Sequence, residues 1–222
     1  MSRGAHRYGV VLVVTVAMTT FALAVPDRPI MRAIELAAAG AALGTAMLTS
    51  GARTDVRRAA AVAVGIALLL VAGAAAAGAP SEVATFTATA VANAATIAVI
   101  VGGLVRLVEE RGVGVQAVFG ALAVYLLLGL TFGFLIGAIA TAVPGDYFAQ
   151  GTDGVQSQRV YYSFTVMTTS GFGDLTARTA PGRALSVLEM LVGQLYLVTV
   201  IATIVGNLRS RRAPGRRAGD PR

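Results

Sequence analysis

Thr168-Thr169-Ser170-Gly171-Phe172-Gly173-Asp174 lies between a short mixed segment, Gln158 to Thr168, and a long apolar run, Ala184 to Leu208. The short segment (Gln-Arg-Val-Tyr-Tyr-Ser-Phe-Thr-Val-Met-Thr) is long enough for about three helical turns. It is too short to cross a bilayer, which takes about 20 apolar residues as a helix, so it is expected to enter the membrane and turn back. Backbone at membrane depth must then find partners in protein, water or ions. A short helix entering in this way aims its carbonyl end, with its partial negative charge, at the bilayer centre, where it favours a cation. The chain must return in an extended form. If successive carbonyls are to point at one axis, some residues take conformations costly for side chains with a Cβ, and Gly171 and Gly173 relieve that cost. Four copies about an axis would replace the hydration shell of a monovalent cation with carbonyl rings, with the Thr169 hydroxyl at the inner end.

Outward from this segment the chain reads as an all-α membrane protein. Of its 222 residues, 56% are hydrophobic and 13% charged, and the mean hydropathy is +0.74. That is more apolar surface than one soluble core of this length buries. Stretches of spanning character run from Gly9 to Val25, Ala33 to Ala52, Ala59 to Ala79, Val83 to Val105, Val115 to Val143 and Ala184 to Leu208. The first could also be a signal peptide, since Met1 to Arg7 is basic and Ala22-Leu23-Ala24 reads as a cleavage site. We expect it to be retained, and cleavage would leave every later span in the same orientation.

A net charge of +7 in a soluble protein would suggest nucleic acid. Here every basic residue is Arg and most lie between spans, so they read as topology signals and no nucleic-acid partner is expected. Threading the N-terminus into the cytoplasm puts 13 arginines inside and five outside. The expectation is a multi-pass protein of the cell membrane with both termini cytoplasmic. The absence of Cys removes disulfides, thiolate metal sites and cysteine nucleophiles. His6 is the one histidine and lies in the charged N-terminal segment, which removes a histidine-based dyad or cluster. No nucleophile, base or metal constellation converges, so neither an enzyme nor a cofactor is expected.

The chain divides into an N-terminal transmembrane bundle, 1–111, a second unit, 112–208, and a basic cytoplasmic tail, 209–222. The boundary is placed in the charged, glycine-closed segment Arg106 to Gly114. In the bundle, Gly40 and Gly44 form a small-xxx-small pair that lets helices approach. Glu35 is expected to snorkel or to pair with Arg32. Gly129, Gly133 and Gly137 repeat along the fifth span and give one smooth face, expected to receive the inner helix.

Thr168-Thr169-Ser170-Gly171-Phe172-Gly173-Asp174 resembles the Thr-Thr-Val-Gly-Tyr-Gly-Asp filter of potassium channels. Tyr161-Tyr162-Ser163 is similar to the aromatic start of the family's pore helix, and Thr179, Gly182 and Arg183 match the lead into its inner helix. The resemblance covers Tyr161 to about Gly206 and points to the bacterial type with one pore loop per chain. It implies an outer helix, a re-entrant pore helix with its filter, and an inner helix, following four extra transmembrane helices. It further implies a filter at Thr168, Thr169, Ser170, Gly171, Phe172 and Gly173, with K+ held at Thr169, Ser170, Gly171 and Phe172 as the permeant ion. Tyr161, Tyr162, Thr165 and Asp174 would support the filter and its outer mouth, and Gly193 falls at the inner-helix gating hinge. One loop per chain implies a homotetramer.

Two departures bear on selectivity. Ser170 replaces a β-branched apolar residue and Phe172 replaces the commoner Tyr, so a poorly selective monovalent cation channel is the nearest alternative. A non-conducting scaffold with a channel-derived fold is the next. A transporter would carry internal repeats, and none is visible. Val83 to Val105 contains no Arg, which excludes the usual arginine-rich voltage sensor. Asp174 is open to three readings: bonded behind the filter, a cation attractor at the mouth, or a turn residue. Glu189 could bond the back of the pore helix or affect gating, and Gln194 could line the pore or brace a contact. The arginines of the tail would meet membrane lipids, anionic head groups among them.

Overall fold

The computed structural model describes residues 7–76 and 81–212. Among them lie seven α-helices: α1 (Tyr8–Ala24), α2 (Pro29–Thr49), α3 (Thr54–Ala76), α4 (Ser81–Arg111), α5 (Val115–Ala142), α6 (Gln156–Met167) and α7 (Ala180–Arg212). No strand occurs among the described residues, only isolated bridges from Phe148 to Thr152 and to Ala177. The helices α2, α3, α4, α5 and α7 are long and apolar enough to cross a membrane, and α1 is a shorter apolar helix of 17 residues. The expected all-α membrane fold is thus present. The turn at Gly78 to Pro80, the segment before Arg7 and the tail from residue 213 lie outside the described residues, as do the side chains of Arg209, Arg211 and Arg212.

Local chemistry sets the helix ends. Pro29 opens α2, where its missing N–H costs nothing and its fixed φ suits the helix. Gly112, at φ +72, closes α4 and donates its N–H to the Val108 carbonyl at 2.9 Å, a glycine C-terminal stop. The charged stretch Arg106 to Arg111 therefore continues α4, and the break before α5 falls at 112–114. Leu, Glu and Arg are good helix formers, and Arg106 bonds the Gly51 carbonyl at 3.0 Å.

The centre of the packing is α4, which contacts α2, α3 and α5, while α5 in turn contacts α1, α6 and α7. The smooth face of α5 does not receive the inner helix. A Cβ on Gly129 would stand 2.6 Å from the Phe164 ring, and one on Gly133 would stand 2.9 Å from the Val160 side chain and 3.1 Å from its Cα. Both partners are on α6, which sits deep against α5 at these two glycines, whereas a Cβ on Gly137 would stand 3.0 Å from the Phe86 ring of α4. The spacing of small residues was readable, but the identity of the helix seated there was not. At Gly40 and Gly44, by contrast, an added Cβ meets nothing within 4 Å, and that pair makes no close approach within the chain.

A polar cluster joins the bundle to α6. Arg32 binds Asp27 at 2.6 Å and Glu82 at 2.8 Å, so it is not paired with Glu35. Glu35 is instead nearly buried, at 8% exposure, among Val14, Met18, Phe21 and Phe134. The other oxygen of Asp27 accepts the backbone N–H of Gln156, the first residue of α6, at 3.3 Å, which places an anion at a helix N-terminus. The guanidinium groups of Arg32 and Arg159 each stand 5.1 Å from the Phe86 ring.

The connection between α5 and α6, rich in Gly, Asp and Gln, contains a buried aromatic pair. Tyr147 and Phe148 are almost fully buried, and Phe148 packs edge-on against both Tyr147 and Tyr162. Two aromatics amid Gly, Asp and Gln were the available signal.

Two outcomes follow. Gly133→Ala forces α6 away from α5 and should cost about 1–3 kcal/mol by overpacking, whereas Gly40→Ala should stay within about 0.5 kcal/mol of the parent. Denaturation of the purified protein in detergent measures both, and equal effects would contradict the packing described. Asp27→Asn should lower the thermal midpoint by loss of about 1 kcal/mol of helix-terminus and ion-pair stabilisation, and an unchanged midpoint would show that the cluster does not hold α6.

Candidate functional site

Helix α6 has 12 residues, too few to cross a membrane. It is held on both sides. Val160 and Phe164 fill the glycine face of α5. On the α7 side the Tyr162 and Ser186 hydroxyls lie 2.8 Å apart, and Gly193 lets α7 approach Met167, because a Cβ there would fall 2.7 Å from the Met167 carbonyl oxygen. Helix α7 runs without a break through Gly193. Ser163 donates to the Gly129 carbonyl at 2.7 Å and is in hydrogen-bond contact with the Glu189 carboxyl. Thr165 donates to the Tyr162 carbonyl at 2.8 Å.

The segment after α6 uses the helix's last carbonyls. Thr168 N–H binds Phe164 O at 3.0 Å, Thr169 N–H binds Val166 O at 2.9 Å, and Ser170 and Gly171 N–H both reach Thr165 O, at 2.9 and 3.3 Å. The N–H groups are thereby directed back at α6, while no backbone bond among the described residues ends on the carbonyls of Thr169 to Gly173. The dihedrals account for this. Thr169, Gly171 and Gly173 have φ of +56, +52 and +81, while the intervening Ser170 and Phe172 do not have positive φ. Left-handed residues at alternate positions can turn successive N–H groups to one side of a strand. Thr169 is the only non-glycine residue with positive φ among those described. For a β-branched residue this conformation costs about 1–2 kcal/mol, and nothing in the residue types at this position announces it.

Side chains around the segment are arranged as follows. The Thr168 hydroxyl donates to Phe164 O at 2.7 Å and lies 2.9 Å from the Ser170 hydroxyl, so Ser170 has a polar partner in place of apolar packing. Gln194 on α7 reaches the Thr169 hydroxyl at 3.5 Å, a long bond that brings it beside the segment. The Phe172 ring is 72% exposed and lies parallel to Tyr161 with centroids 6.5 Å apart. Asp174 is exposed, and its carboxylate bears on the Tyr161 hydroxyl. The sequence-predicted residues Tyr161, Tyr162, Thr165, Thr168 to Asp174 and Gly193 thus gather around the C-terminal end of α6. Ser163 and Gln194, both singled out in the sequence, join them, and so does Ser186, whose one signal was that a polar side chain is rare within an apolar helix and needs a partner there.

One face of this site is uncovered. Thr168 to Asp174 are all exposed, and along α7 Val187, Leu188, Leu191, Leu195 and Val198 are at least half exposed.

No curated protein matches the chain. Residues 120–210, from within α5 almost to the end of α7, match the family model described as Ion channel. By that match and by its helices the chain is a multi-pass membrane protein whose residues 120–210 are similar to an ion-channel pore module.

Proposed function

We propose that the chain is one subunit of a potassium-selective channel, with passive K+ conduction through a homotetrameric pore. The observation that carries the reading is the alternation of φ at Thr169, Gly171 and Gly173, together with N–H groups drawn to α6 carbonyls. Such a strand offers its carbonyls on one side. A single strand cannot enclose an ion, but four about an axis give stacked rings that stand in for the water of a dehydrated K+. In this reading the ion is held at Thr169, Ser170, Gly171 and Phe172, with no cofactor, and Thr168 and Gly173 complete the filter. Tyr161, Tyr162, Thr165 and Asp174 support it and its mouth. Gly193 serves as the gating hinge of α7.

The uncovered apolar side of α7 favours the tetramer, since partner copies would cover what one copy exposes. The pore unit would be 112–208, lying in the cell membrane with both termini cytoplasmic and the arginines of 209–222 against anionic lipid. Ser170 and the outward Phe172 ring favour one alternative, a pore of poor selectivity, because neither adds apolar packing behind the strand.

Potassium efflux from loaded proteoliposomes tests the reading. The full-length protein should release K+, and Gly171→Ala, which puts a Cβ at φ +52 in a region costly for L-residues, should suppress release by about tenfold or more. Equal efflux from both proteins would contradict the placement of the filter.

A further inference from the structure

Ser163 sits between two oxygens with a single proton to give. Its Oγ is 2.7 Å from the Gly129 carbonyl on α5 and in hydrogen-bond contact with the Glu189 carboxyl on α7. A serine hydroxyl donates once and accepts twice. If Ser163 donates to Gly129, the contact with Glu189 requires a proton on Glu189. The other arrangement leaves an ionised carboxylate that is 0% exposed, with that one donor, an Oε2 without a partner, and no ion pair among the described residues. A bare carboxylate is costly inside a membrane unless paired. The titratable group that bears on it is the phenol of Tyr147, in the α5–α6 connection, and the contact from α5 is made through Ser163, on the Gly129 carbonyl. Among the described residues no cation is paired with Glu189.

We propose that Glu189 is a neutral carboxylic acid that donates to Ser163 Oγ, which donates to Gly129 O, and that this chain of bonds positions α6 between α5 and α7. Glu189 touches no permeating ion. It is a positioning residue that acts through Ser163 on the helix whose last carbonyls hold Thr168 to Gly171. The functional half of the proposal rests on the channel reading above; the proton assignment does not.

The test uses full-length protein in lipid. In the infrared difference between wild type and Glu189→Gln, the carbonyl stretch of a protonated carboxyl should appear in the wild type alone. Glu35, also buried, is common to both proteins and cancels. In bilayers Glu189→Gln, whose amide still donates to Ser163, should keep the wild-type preference for K+ over Na+. Glu189→Leu and Ser163→Ala, which break the chain, should each lower it by about tenfold, the worth of one ordinary hydrogen bond. If either of those variants does not fold, the infrared comparison and Glu189→Gln still decide the matter. A carboxylate band in place of the acid band, or a Glu189→Gln protein that loses selectivity as Glu189→Leu does, overturns the proposal. Wild-type protein that shows the acid band but passes no current supports the proton assignment and overturns the channel reading instead.

Discussion

A polypeptide that turns back within a membrane leaves its N–H and C=O groups without water, and each needs another partner. The site is organised by how this chain meets that demand. The carbonyls of Phe164, Thr165 and Val166, which a helix end leaves open, take the N–H groups of Thr168 to Gly171. Spending the donors on α6 frees the following carbonyls for another ligand. Left-handed φ at alternate positions is the geometric condition for this, and it is why glycine occupies two of them and a strained Thr169 the third.

Such a strand is only as well placed as the helix behind it. Helix α6 is wedged by Val160 and Phe164 into the glycine face of α5, and its C-terminal end is closed by Met167 against Gly193. Its N-terminus is tied to the bundle through Asp27, Arg32 and Glu82, and the connection before it is anchored by Tyr147 and Phe148. Helices α2 and α4 are therefore tied to the site, since Arg32 and Glu82 connect to Gln156 through Asp27. This gives the bundle a physical role that its plain Ala, Val and Leu sequence does not announce.

Five of the six expected spans were legible because each is a long apolar run, while α1, with 17 residues, is a shorter apolar helix. The turn after α6 was legible because glycine at 171 and 173 has a conformational meaning. What escaped was partnership. Gly129 and Gly133 announce a close approach without naming α6, and Gly40 and Gly44, with the same spacing, face nothing within 4 Å. Glu35 near Arg32 suggested snorkelling or an ion pair, but Asp27 and Glu82 hold that arginine and Glu35 is buried. Each miss concerns which of several chemically adequate neighbours the fold brings close, and spacing along one chain does not encode that.

The central claim is that the carbonyls freed along Thr169 to Gly173 form the ion path, and that it selects K+. The most direct test is the reversal potential of the purified full-length protein in a planar bilayer, with K+ on one side and Na+ on the other. The account predicts a potential near the potassium limit. A robust current reversing near zero would contradict it.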